Sequence, residues 1–103
     1  MKCDKCGEDF PEDSWESGQT YKAIDVHHNP PQFMVEEWHG ELINLCRGCH
    51  RELHDKILDI LFKHSNLYKP KKSEYWTWIA VIGEDRVKAV KEVTEFTRGW
   101  LKE

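Results

Sequence analysis

The chain has 103 residues, enough for one domain or for a small core with an appended segment. With 39% hydrophobic and 33% charged residues, no apolar run near the roughly 18 residues of a membrane span, and no hydrophobic signal core after Met1, it reads as a globular cytoplasmic protein without membrane contact. The formal charge of −4, from 15 Lys+Arg against 19 Asp+Glu, excludes a protein that coats nucleic acid by general positive charge.

Residues 1–19 read as a Cys-x-x-Cys knuckle followed by a polar, irregular stretch. Thr20 to Val26, rich in β-favouring residues, is predicted as a strand ending at His27-His28, and Asn29-Pro30-Pro31 stops it. A loop with Phe33, Met34 and Trp38 leads to a second short strand, Leu42 to Leu45, and to the knuckle Cys46-Arg47-Gly48-Cys49. From His50 to about Lys63, Leu53, Ile57, Ile60 and Leu61 recur at helical spacing. Lys69-Pro70-Lys71-Lys72 is the best internal boundary, dividing a core at 1–68 from a C-terminal, mainly helical extension at 69–103. Within the extension, Ser73 to Ile82 is ambiguous: its aromatic and β-branched residues favour a strand, while Ser73 and Gly83 suit the caps of a short helix. Glu84 to Leu101 carries one apolar stripe and an acidic start, as expected of a helix.

Cys3/Cys6 and Cys46/Cys49 share one spacing and stand far apart in the chain. A reducing compartment disfavours disulfides, whereas two such pairs suit one tetrahedral Zn²⁺ at about 2.3 Å from each sulfur. Such an ion closes a long loop, and structural zinc is worth roughly 10–16 kcal/mol of apparent binding energy in small peptides. A redox pair needs only one Cys-x-x-Cys, and no βαβ pattern surrounds either. Histidines form the second cluster. His50 and His54, four apart on a helix, share a face and can grip one metal. Adjacent strand residues point oppositely, so His27 and His28 cannot easily do the same job. With His27 as third ligand, His28 is left to act on a nearby water, which is equipment for metal-assisted hydrolysis.

Asp25-Val26-His27-His28, then Leu45-Cys46-Arg47-Gly48-Cys49-His50, then His54, resembles the HNH nuclease family in its zinc-knuckle form. The resemblance covers residues 3 to about 64. It implies an α+β fold with a ββα-metal, treble-clef-like core stapled by the four-cysteine zinc. It also implies a second, catalytic divalent ion (Zn²⁺, Ni²⁺, Mn²⁺ or Mg²⁺) on His27, His50 and His54, with His28 as general base. The family's middle asparagine has no direct match: Glu41 stands at the usual distance before His50, and the nearest asparagine is Asn44. Either Glu41 accepts a hydrogen bond from the base, or Asn44 contributes after a local shift, or a backbone carbonyl orients the base. Arg47 and Arg51 match positions of DNA backbone contact. Asp25 is a candidate acceptor behind the ligands.

The resemblance thus predicts a DNA endonuclease that nicks one strand per event, in a bacterial or phage-infected cell. The alternative is a catalytically weak zinc module serving as a nucleic-acid or protein adaptor. The acidic balance predicts weak binding to duplex DNA alone, so either positive charge is concentrated at the site or a protein partner supplies affinity and specificity. For the remaining residues the blander readings are expected. His39 and His64 belong to the surface or to a helix end, and most of Trp15, Trp38, Trp76, Trp78 and Trp100 fill the core.

Overall fold

The computed structural model describes residues 2–9, 24–70 and 72–103, and among these two antiparallel strands, joined through a short 3-10 turn at Gln32–Met34, are followed by three α-helices. Strand β1 spans Ile24–Asn29 and β2 spans Glu41–Cys46; helix α1 spans Arg47–His64, α2 spans Glu74–Ile79 and α3 spans Glu84–Leu101. The fold is a small α+β arrangement: a two-stranded sheet with helices packed on it.

β1 runs on past the predicted end and includes His27, His28 and Asn29, with His27 opposite Ile43, His28 opposite Leu42 and Asn29 opposite Glu41. Proline at position 30 favours this, because it drives the residue before it into the extended region. The predicted strand residues 20–23, and Trp15, lie outside the described residues. α1 also begins earlier than its apolar pattern suggests. Cys46, extended at φ −66° and ψ 162°, is its N-cap, so the second knuckle forms the first helical turn. The ambiguous segment resolves as a helix. The Ser73 hydroxyl accepts from the Trp76 amide at 3.4 Å, and α2 then stops at Ile79, with Gly83 (φ +62°) serving α3 as its N-cap instead.

Alternation along the strands decides which side chains meet the helices. Ile43 and Leu45 are buried and face Leu53, Ile57, Ile60 and Leu61 of α1. Trp78 and Val81, then Ala89, Val93 and Trp100, close the same core from the C-terminal part. Each such large side chain contributes about 1.5–3 kcal/mol on burial. Trp78 and Trp100 therefore do fill the core, Trp38 is half-buried, and Trp76 is 57% exposed.

Polar ties fasten α3 across the molecule. Lys5 donates to the Trp100 carbonyl and lies over its ring at 4.8 Å, Asn29 Nδ2 donates to Thr94 O at 3.3 Å, and Arg98 Nε donates to Glu41 Oε1. His64 Nε2 lies 3.1 Å from Glu92, which also bonds Lys63; Lys63 first, then His64, hold the Glu92 carboxyl below its usual range. No helix among the described residues is long and apolar enough to cross a membrane.

Gly40 permits the close return of the chain into β2. A Cβ there would stand 2.2 Å from the Asn29 carbonyl oxygen and 3.0 Å from Pro30 Cδ, and backbone cannot yield as a side-chain tip can. Gly40→Ala is expected to lower stability by about 1–3 kcal/mol in urea unfolding of the zinc-loaded protein. Gly48→Ala is the control, since its Cβ would meet nothing within 4 Å and lies in a helix. It should be neutral or stabilising.

Candidate metal centres

The first cluster is built by a short hairpin docked on β2. Lys2 pairs with Asp9, the Cys3 amide donates to Glu8 O at 3.0 Å, and Gly7 turns the chain at φ +75°. Asp4 joins this hairpin to the sheet twice: its amide donates to Asn44 O at 2.7 Å, and its carboxylate accepts from the Asn44 amide at 2.8 Å. The sulfurs of Cys3, Cys6, Cys46 and Cys49 consequently lie within 4.8 Å of one another. All four are free thiols. Burial pushes the Cys3 thiol up, yet backbone amides of Cys46, Cys6 and Lys5 aimed at its sulfur bring it down to about 6. Burial, and then the neighbouring thiols of Cys46 and Cys3, push Cys49 strongly upward. One thiolate forms easily and the next resist it, a conflict that a cation among them removes. The four cysteines can hold a structural metal such as zinc.

The second cluster brings β1 against the start of α1. His50 and His54, one turn apart, have ring centroids 4.4 Å apart, and His27, on the inward face of β1, lies 5.3 and 5.1 Å from them at near-perpendicular angles. Ligating nitrogens of all three fall within 4.8 Å of one another. His50 Nδ1 is 3.2 Å from Asp25 Oδ2, and His54 Nδ1 is 2.7 and 2.9 Å from the two oxygens of Glu74. An ionised carboxylate only accepts, so these pairings favour the tautomer with the proton on Nδ1 and the lone pair on Nε2. Those Nε2 atoms face each other at 2.8 Å, which is repulsive unless a cation or proton lies between them. Among the described residues, His27 Nε2 is buried without a hydrogen-bond partner. Burial first, then the imidazoles of His54, His50 and His28, hold His27 down at about 3, so its lone pair stays available. An orphaned buried nitrogen beside two opposed lone pairs fits a divalent ion better than it fits a packed core.

The remaining candidates fall into two groups around this centre. His28 faces the other side of β1, packed edge-on against Trp38 at 5.0 Å, whose indole donates to Pro30 O at 2.6 Å. It still lines one depression with His27, His50 and His54, bounded by Pro31, Gln32 and Phe33. Asp25, Arg47, Gly48, Arg51, His50 and His54 line a second depression. Glu41 is not brought to His28: strand pairing sets it on the opposite face, and its carboxylate accepts from Arg98. Asn44 shares the face of His28, on the neighbouring strand.

Sequence reasoning missed Glu74 and the contact of Trp38 with His28. Neither stands at a recognisable spacing from its partner, and Glu74 lies beyond the Lys69-Pro70 break. Comparison of the chain with protein-family models, with curated proteins and with solved structures yields no match.

Proposed function

We propose that the chain is a metal-dependent HNH endonuclease with a ββα-metal core, hydrolysing DNA phosphodiester bonds and nicking one strand per event. The observation that carries this reading is the convergence of His27, His50 and His54, with His27 Nε2 buried and unpaired among the described residues and a further imidazole, His28, in the same depression. Cys3, Cys6, Cys46 and Cys49 hold a structural Zn²⁺. His27, His50 and His54 hold the second ion, which when bound supplies electrostatic stabilisation of charge on the phosphate and leaving oxygens.

The chain's own residues do the rest. Asp25 fixes the His50 ring through Nδ1, leaving Nε2 free to ligate. His28 takes a proton from the attacking water, its ring held by the face of Trp38. Asn44 shares the strand face of His28 and takes the part of the family's middle asparagine, since Glu41 is engaged by Arg98. Arg47 and Arg51 put positive charge beside His50 and His54, where a DNA phosphate approaches an otherwise acidic molecule.

The test is nicking of supercoiled plasmid with Mg²⁺, Mn²⁺, Ni²⁺ and Zn²⁺ supplied in turn, beside His50→Ala. Wild type should nick with at least one ion. His50→Ala should keep its cysteine-bound zinc while losing both the second metal and nicking. Absence of nicking with every ion, in folded protein holding one zinc only, rejects the enzyme and leaves the adaptor reading.

A further inference from the structure

We infer that Glu74 is a positioning residue of the three-histidine centre, so that the C-terminal extension is a working part of the metal site. This rests on the proposed function only in so far as the histidines bind a metal. Both carboxylate oxygens of Glu74 lie within hydrogen-bonding distance of one atom, His54 Nδ1, at 2.7 and 2.9 Å. The pair is largely shielded, with side chains 20% and 31% exposed for Glu74 and His54, so the bond is stronger than a surface ion pair. Its chemical effect is on the far side of the ring. Holding the proton on Nδ1 keeps the Nε2 lone pair directed at His50 and His27.

The support for Glu74 is built from capping bonds and buried side chains. Glu74 opens α2, which Ser73 caps through its hydroxyl and through its carbonyl, the latter accepting from both the amide and the hydroxyl of Thr77. Thr77, Trp78 and Val81 are buried, seating α2 and the chain after it against α1. Asp25 performs the same service for His50 from β1 at 3.2 Å. The centre is therefore gripped from two sides. One carboxylate comes from the strand that carries His27, the other from the segment beyond the proline-broken link. Three neutral imidazoles give a divalent ion no compensating charge, and the two carboxylates behind them supply −2 without occupying a coordination position.

The experiment uses the full chain carrying one Zn²⁺ on its cysteines, with Co²⁺ added and the second site followed by its visible d–d bands. Glu74→Ala should weaken Co²⁺ binding roughly 10–100-fold, and Glu74→Gln, which still accepts from Nδ1–H, by less. In wild type, long-range ¹H–¹⁵N spectra should show His54 protonated at Nδ1, a readout that needs no variant to fold. Equal Co²⁺ affinity in folded wild type and both variants, or wild-type His54 protonated at Nε2, overturns the inference and leaves the histidine centre standing. Failure of wild type to take up Co²⁺ removes the centre, and the inference with it.

Discussion

Cys46→Ser is expected to leave most of the chain unfolded, with zinc content below one ion per molecule and loss of the helical circular dichroism signal. Cys46 does three things at once: it ends β2, it is the N-cap of α1, and its sulfur lies 3.9 Å from that of Cys6. Structural zinc contributes roughly 10–16 kcal/mol of apparent binding energy, of the same order as the whole stability of a typical domain, about 5–15 kcal/mol. Among the described residues, the hairpin at 2–9 is tied to β2 by the Asp4–Asn44 bonds, to α3 by Lys5 and to the core by Cys3, and the ion is expected to supply most of its order. A chelator should reproduce the effect on wild type, and added Zn²⁺ should reverse it. A zinc-free Cys46→Ser protein with a native spectrum would contradict the structural role.

On the proposed nuclease reading, His28→Ala should cut the nicking rate by about 10²–10⁴ while both metals stay bound. The pleat is the reason these effects separate. His27 and His28 are neighbours in sequence but face opposite sides of β1, so removing the proposed base should leave the proposed ligands undisturbed. His50→Ala should behave oppositely, losing the ion and the activity together. Metal analysis of the two variants beside plasmid nicking distinguishes base from ligand. Loss of the second ion in His28→Ala would assign His28 to the coordination set instead.

What the sequence disclosed was local and periodic. The Cys-x-x-Cys knuckles and His50-x-x-x-His54 are visible because three- and four-residue spacings fix relative position before any tertiary packing. The stripe of α3 likewise marks the observed span Glu84–Leu101. Ser73 to Ile82 stayed undecided because tryptophan, tyrosine and isoleucine suit a buried helix as well as a strand; burial of Trp78 and Thr77, with the Ser73 cap, decided it. The choice between Glu41 and Asn44 was not legible by counting along the chain. Strand pairing puts Asn44 on the face of His28 and Glu41 on the opposite face, a difference of parity that one residue of register would reverse. Glu74 was beyond reach for a different reason: its partnership with His54 is made by the packing of α2 on α1 and has no sequence period.

A single helix carries part of each candidate metal cluster. Cys46 caps α1, Cys49 lies in its first turn, and His50 and His54 follow directly. At about 1.5 Å per residue, the axial span from Cys46 to His54 is about 12 Å, and no loop lies along it to absorb a change. One residue inserted between Cys49 and His50 would swing the imidazoles by about 100° around the axis, away from His27. The spacing is therefore a ruler: mutation can lengthen or shorten the chain elsewhere at modest cost, but between these two centres only substitutions, and not insertions or deletions, leave both centres whole.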